Sequence, residues 1–401
     1  MKMLMSSLLA GALVSVSILG SSLPVSAANS KFRDVPSTYW ANQSIYTAVE
    51  KGYFKGYSDG TFRPKANITR AEFAALIARV ADYEGVQSSA DFSDMKGHWA
   101  ESAVNTAVGM GFIKAADYPN GFQPGKALTR EEMAKWLSSG LAANDTEYKQ
   151  AWTDTKTTVL PVKEYFQGQI SQTKAPFIAI VMGTGLMKGY TDGTFGLTKT
   201  TTRAEVSAIV LRLENVLSKS ANSFADLTEL RAVGTEKSNL ELVTPFTFGN
   251  ETFADASGKK FTFKNGAGSL VFHRAIAVNA QNWGNKQSIY SDVFVSEEDK
   301  MMVNKKGLYP IYMQLTIYPK TNNFNATHYS NSGALLLRGA TISNGLPSKY
   351  GYETLPNEET AQYFAKHKSG ITIWVVRYLT DDTLTNVRMD DRTYVRLVNK
   401  K

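Results

Sequence analysis

Apolar positions recur at helical spacing in the first half of the chain and at alternate positions in the second. Ile45, Ala48, Val49 and Gly52 fall at i, i+3, i+4 and i+7. Val104, Ala107, Val108 and Gly111 repeat the frame, as do Ile178, Val181, Met182 and Gly185. That spacing gives each segment one apolar helix face, and the closing glycine suits a helix stop, where positive φ is often needed. A second helix follows in each copy, carrying Phe73, Leu76, Ile77 and Val80, then Met133, Trp136 and Leu137, then Val206, Ile209, Val210 and Leu213. Its start is marked by Thr69/Glu72, Thr129/Glu132 and Thr202/Glu205. In this Thr-x-x-Glu frame the hydroxyl accepts from the N3 amide and the carboxylate reaches back to the cap amide, a capping box.

Beyond about residue 240 the period changes to two. Ile311, Met313, Leu315 and Ile317 alternate with Tyr312, Gln314, Thr316 and Tyr318. Phe261–Phe263, Ala334–Leu337, Ile371–Val376 and Tyr394–Val398 also read as strands, separated by turn signals such as Asn265-Gly266 and Asn344-Gly345. One helix holds Tyr363 and Phe364, and another is expected near Asp226–Ala232 within an otherwise polar linker. The predicted architecture is multidomain: a mostly α first half built of three repeats, then an all-β, sandwich-like domain.

The repeats extend beyond periodicity. Phe32-Arg33-Asp34-Val35 recurs as Phe92-Ser93-Asp94-Met95 and loosely as Trp152-Thr153-Asp154, and Trp40-Ala41 recurs as Trp99-Ala100. Gly56-Tyr57-Ser58-Asp59-Gly60-Thr61-Phe62 returns as Gly189-Tyr190-Thr191-Asp192-Gly193-Thr194-Phe195. Capping accounts for the threonine and glutamate of the Thr-Arg-x-Glu run, but not for Arg70, Arg130 and Arg203 at N1. A cation there opposes the helix dipole by a few tenths of a kcal/mol. Free amides beside a guanidinium would hold an anion. The alternative is an ion pair with an acid of a neighbouring copy, such as Asp34 or Asp94. The Asp-Gly-Thr segments lack the acid spacing of a calcium loop and read as turns.

Together these ordered motifs resemble tandem S-layer homology (SLH) domains, the wall-anchoring modules of bacterial surface proteins, over roughly residues 32–215. The resemblance implies a pseudo-threefold helical bundle with ligand grooves between repeats. In the family these grooves bind secondary cell-wall polymers linked to peptidoglycan, often with a pyruvyl ketal on N-acetylmannosamine. It implies a ligand set of Asp34, Trp40, Gly52 and Arg70; Asp94, Trp99, Gly111 and Arg130; and Asp154, Gly185 and Arg203. Arginine holds the ketal carboxylate, tryptophan packs on a sugar face, glycine lets the ligand approach the backbone, and aspartate orients the arginine or accepts a sugar hydroxyl. The third copy departs from the pattern: an insertion follows Asp154, and Thr173 stands where Trp40 and Trp99 stand. The second replaces the Gly-Tyr-x-Asp-Gly-Thr-Phe run with residues 115–122. Unequal sites are therefore expected.

Composition narrows the setting. The chain has 401 residues, 43% hydrophobic and 20% charged, which is globular composition. Lys2, the apolar run from Leu8 to Leu19 and Val25-Ser26-Ala27 read as a signal peptide over residues 1–27. There is no cysteine, hence no disulfide and no thiolate metal site, and no later segment is long and apolar enough for a membrane span. A net charge of +8 favours anionic partners such as acidic wall polymers, whereas export and the lack of a dominant basic cluster argue against nucleic acid. The expected organisation is a signal peptide (1–27), repeats at 28–84, 85–144 and 145–216, a linker at 217–240 and a β-rich domain at 241–401.

Catalytic chemistry is hard to find. His273, His328 and His367 lack metal-ligand spacing, and Asp381-Asp382 and Asp390-Asp391 flank turns. No nucleophile-elbow or zinc-protease motif occurs, and the pattern calls for no cofactor or metal. The leading expectation is a secreted, non-enzymatic cell-surface or S-layer protein, anchored non-covalently to an anionic wall polysaccharide. Its β domain serves as a structural or interaction module, with other surface proteins as further partners. The alternatives are an anchored, exported glycan hydrolase, or a β domain that is a second carbohydrate-binding module.

Overall fold

A computed structural model describes residues 32–81, 90–278, 288–299 and 307–400; the predicted signal peptide lies outside them. Two helices form in each repeat: α1 (Asn42–Glu50) and α2 (Arg70–Ala81), α3 (Glu101–Gly109) and α4 (Arg130–Asn144). The third copy begins with two additional helices, α5 (Thr146–Asp154) and α6 (Lys163–Phe166), before α7 (Ala175–Gly183) and α8 (Arg203–Leu217). All three capping boxes form: the amides of Glu72, Glu132 and Glu205 donate to Thr69, Thr129 and Thr202 Oγ1 at 3.2, 3.2 and 3.3 Å. Each carboxylate accepts in return from its threonine amide.

The copies lock by exchange. The second helix of each packs on the first helix of the next: α2 on α3, α4 on α7, and α8 back on α1. Short extended segments before the second helices close the same cycle. Ile68 N–H donates to the Thr201 carbonyl (2.9 Å), Thr201 N–H to Leu128 (3.3 Å) and Leu128 N–H to Ile68 (3.0 Å).

Helix α7 is apolar all round and almost entirely buried, which requires cover on every side. Helix α4 covers one side, α5 another, and α9 (Ala225–Thr235) a third. Residues 225–235 thus form a packed helix inside the stretch read as a polar linker. Its Leu227, Leu230 and Val233 lie in the helical core at 0% exposure.

The C-terminal part carries two antiparallel sheets. Strands β2 (Lys260–Thr262), β3 (Gly268–Ala277), β4 (Leu308–Pro319) and β5 (Ile371–Thr380) pair in that order. Strands β1 (Phe246–Phe248), β7 (Tyr394–Asn399) and β6 (Thr385–Arg388) form the other sheet. Both sheets contribute to one core through Phe272, Leu315 and Val375 on one side and Phe246, Val395 and Leu397 on the other. The opposite face of the four-stranded sheet presents Ile276, Tyr312, Trp374 and Val376, which join the core of the helical half. The period-two pattern of β4 and β5 thus serves two cores, one per face.

Two expectations change here. The second half is not all β: besides the expected helix around Tyr363 and Phe364, which spans Thr360–Lys366, a helix at Leu346–Tyr350 interrupts it, entered through Gly345 at φ 75°. Ala334–Leu337 forms a turn rather than a strand, closed by the Leu337 amide on the Ala334 carbonyl. Its apolar character reflects burial of Ala334, Leu336 and Leu337 in the sheet core.

Candidate functional site

Each repeat contributes an acid, a turn and an arginine, and these link one copy to the next. Asp34 accepts from the amides of Phe62 (2.8 Å) and Arg63 (2.7 Å). Asp94 does the same for Phe122 (2.9 Å) and Gln123 (2.7 Å). Arg63 and Gln123 sit at φ 58° and 55°, a left-handed conformation costly for side chains other than glycine, and the paired carboxylate bonds hold it. In the third copy the equivalent acid is Glu164, which accepts from Phe195 (2.8 Å) and Gly196 (2.7 Å). Asp154, matched to this place in the sequence, instead ends α5 and pairs with Arg231 of α9 at 2.8 Å. The substitution of glutamate for aspartate and the inserted residues concealed the true equivalent.

The turns aim their carbonyls at the arginines. Arg203 Nε donates to Phe62 O (3.0 Å), Arg130 Nε to Phe195 O (2.8 Å), and Arg70 Nη1 to Phe122 O (2.8 Å). Arg203 and Arg130 make a second carbonyl bond through Nη2, to Lys55 O (3.1 Å) and Lys188 O (2.6 Å). All three side chains are buried, with residue exposures of 6%, 4% and 6% for Arg70, Arg130 and Arg203. Burial pulls the pKa of Arg130 and Arg203 below the ordinary arginine value, while Tyr190 and Glu205 beside Arg130, and Tyr57 and Glu72 beside Arg203, work against it.

The first amides of the second helices are occupied too. Arg70, Arg130 and Arg203 N–H donate to the carbonyls of Lys126, Lys199 and Ala66 at 2.9, 2.9 and 2.8 Å. The next amides donate to Pro124, Leu197 and Pro64. Carbonyl dipoles from the adjacent copy thus answer both the helix dipole and the N1 cation. The acid partners are Glu132 and Glu72, not the Asp34 and Asp94 considered from the sequence.

The three arginines are not equivalent. Arg70 gives Nε and Nη2 to Glu132 Oε1 (3.0 and 2.6 Å) and Nη1 to Phe122 O and Gln123. The closest carboxylate to Arg203 is Glu72, at 3.9 Å, and Arg130 has no ion pair among the described residues. Nη1 of Arg203 is the atom that faces Glu72 in that long ion pair, and Tyr190 is an oxygen partner beside Arg130, so neither guanidinium has a carboxylate at contact distance among the described residues. Each arginine faces a tyrosine of the next copy: Arg70 lies 4.8 Å from the Tyr118 ring centre, Arg130 4.7 Å from Tyr190 and Arg203 5.1 Å from Tyr57. A second cation shares the ring in two cases, Lys199 on Tyr190 (3.9 Å) and Arg63 on Tyr57 (3.8 Å). A cavity of about 260 Å³ opens beside Arg70, between Tyr118, Glu132, Lys135 and Thr198.

Trp40 and Trp99 are 64% and 67% exposed, outside the core, whereas Thr173 offers a small polar side chain at the matching place. Gly52, Gly111 and Gly185 adopt φ of 75°, 77° and 73°, as helix stops require. The space beside Gly52 and Gly185 is open, whereas at Gly111 the Ala143 side chain lies 2.5 Å from where a Cβ would stand. In the second half, the histidines make local hydrogen bonds: His273 to Thr316, His328 to Asn325 and His367 to the Tyr363 carbonyl. Asp390 accepts from Thr262 of β2, and Asp391 pairs with Lys259. No helix among the described residues is long and apolar enough to cross a membrane.

Comparison with known proteins bears on the repeats. The family model of the S-layer homology domain matches residues 31–74, 91–134 and 168–207. An S-layer protein of Bacillus thuringiensis subsp. finitimus is 27% identical over 230 residues, covering 57% of this chain and 26% of that protein. The cellulosome-anchoring protein of Acetivibrio thermocellus is 34% identical over 116 residues, 27% of this chain and 26% of that one. An amylopullulanase of Thermoanaerobacterium thermosulfurigenes is 30% identical over 192 residues, 48% of this chain and 10% of that enzyme. The chain thus spans about a quarter of the length of the S-layer protein it matches.

Proposed function

Because the N-terminal half carries three S-layer homology domains, we propose that this protein is a secreted cell-surface protein held on the wall by its repeats. The ligand is an anionic secondary wall polysaccharide, probed best with a pyruvylated one. The observation that carries this reading is the combination, twice over, of an exposed tryptophan in the motif and a buried guanidinium with no carboxylate at contact distance among the described residues. A flat aromatic surface suits a pyranose face, and a guanidinium suits a carboxylate. The cyclic exchange of helices and carbonyl bonds supports a pseudo-threefold bundle, and the core shared by the two sheets supports a sandwich-like second half.

The grooves are unequal on this reading. Lys174, next to Thr173, pairs with Glu131 at the start of α4, beside the cavity at Arg70. By equivalence of the copies, Trp40 belongs with Arg130 and Trp99 with Arg203, and Thr173 falls to Arg70. That groove lacks the aromatic platform, and Glu132 neutralises its cation at contact distance. Two working grooves follow, at Arg130 and Arg203. The test is binding of a pyruvylated wall oligosaccharide to Trp40→Ala, Trp99→Ala and Thr173→Ala. The first two should each weaken binding about ten-fold, on the order of 1.4 kcal/mol, while Thr173→Ala leaves it unchanged. Equal losses from all three would remove the two-groove reading.

The β-rich half acts as a structural or interaction module rather than an enzyme. This is supported by its acids being tied into turns at Asp390 and Asp391. Anchored hydrolysis is the competing reading, favoured by the amylopullulanase among the relatives. Release of reducing sugar from purified walls decides between them.

A further inference from the structure

The helical half covers only part of the four-stranded sheet. Ile276, Tyr312, Trp374 and Val376 are buried under it, but further along the same face Thr316 and Thr372 emerge, their hydroxyls 2.7 Å apart. Where the cover ends, a cavity of about 460 Å³ opens, within the ~300–1,000 Å³ of small-molecule sites. One wall is the sheet, with Arg274, Gln314, Thr372 and Trp374; the facing wall comes from the third repeat and its insertion, with Lys156 and Gln172.

Charge in this cleft is unbalanced. A bulge in β3 between Phe272 and Arg274 interrupts the register and re-aims the arginine. Its Nη1 donates to the Thr157 carbonyl of the insertion at 2.9 Å, while its Nε is buried without a hydrogen-bond partner among the described residues. Lys237 lies behind it, donating to Thr157 Oγ1 at 2.9 Å, and burial together with the Arg274 charge lowers its pKa against the smaller opposing pull of Glu236. Lys156 adds a third cation, against one lining carboxylate, Glu353, which accepts from Tyr363. No ion pair to Arg274, Lys237 or Lys156 forms among the described residues.

We infer that this seam is a second glycan site, distinct from the inter-repeat grooves, which takes a short anionic saccharide with its acid group at Arg274. Hydroxyls and amides on both walls match sugar hydroxyls, the half-buried Tyr165 and Phe166 supply apolar surface, and the excess positive charge selects an acid-bearing sugar. The insertion that sets the third repeat apart builds one wall of this site.

The experiment is calorimetric titration of the whole mature protein with three probes. These are the disaccharide of N-acetylglucosamine and N-acetylmuramic acid, which bears a carboxylate; chitobiose, which is neutral; and lactose 1-phosphate. At least one acidic probe should bind about ten-fold tighter than chitobiose, the worth of one charge-assisted contact; which of the two binds tighter assigns carboxylate or phosphate. Arg274→Gln should erase the preference, and the exposed Lys156→Ala should reduce it about three-fold in a fold unaffected by the change. Trp40→Ala and Trp99→Ala should leave it intact, which separates this site from the anchoring grooves. Equal affinity for acidic and neutral probes, no binding at millimolar concentration, or a preference unchanged in Lys156→Ala overturns the inference.

Discussion

A buried arginine bonded to carbonyl oxygens is a different object from an arginine waiting for an anion, and the three N1 arginines are mostly the former. Arg203 joins the carbonyls of Phe62 and Lys55, two acceptors in another copy of the repeat. Arg203→Ala leaves the buried Phe62 carbonyl and the half-buried Lys55 carbonyl without this donor and should cost about 3 kcal/mol in urea unfolding. Arg203→Lys should recover less than half, since an ammonium lacks the planar fork that spans both. Alanine variants of these residues therefore report on folding as well as on ligand. Asp94 shows the same logic with the opposite charge. Burial works to raise its pKa, but the Gln123 and Phe122 amides and Arg70 outweigh it, and the net shift is downward. A depressed carboxylate stabilises above its ordinary range and loses that contribution as pH falls through the folded-state value. Asp94→Asn should thus lower the melting temperature at pH 7, with the gap to the parent narrowing below about pH 4.

At the scale of elements, the third repeat is the informative one. Its first helix is too apolar for a surface position, and α5 and α9 supply the cover. They approach each other so closely that a Cβ on Gly234 would meet the Asp154 carbonyl at 1.9 Å. Gly234→Ala should therefore destabilise the helical half by about 1–3 kcal/mol in urea unfolding. What the sequence made legible was local. Thr69/Glu72 and its copies lie three residues apart, and the alternation in β4 spans one strand, so each signal carries its own partner. The arginine clamps were opaque because Arg70, Arg130 and Arg203 reach carbonyls 52, 65 and 141 positions away. No side-chain pattern encodes a backbone acceptor. Glu164 was missed because the insertion shifted it; α9 was expected as a helix near Asp226–Ala232, but its place in the core shows only once α7 is set beneath it. The seam cavity was invisible for the same reason: Lys156, Arg274 and Trp374 meet only once the sheet docks on the third repeat.

Across the whole molecule, the two halves share a core rather than a tether. Tyr312 and Trp374 of the sheet pack with Phe294, at ring distances of 4.5 and 5.0 Å, and Phe166 of α6 stands 6.2 Å from Trp374. Halves joined this way should unfold together, giving one calorimetric transition whose enthalpy matches its van't Hoff value; two separate transitions would count against a shared core. Trp40 and Trp99 take no part in that shared core and stand exposed. The most direct test is cosedimentation of the mature protein with purified walls, before and after chemical removal of the secondary polysaccharide. The account predicts capture by intact walls and release from the stripped peptidoglycan. Equal capture by both would contradict it.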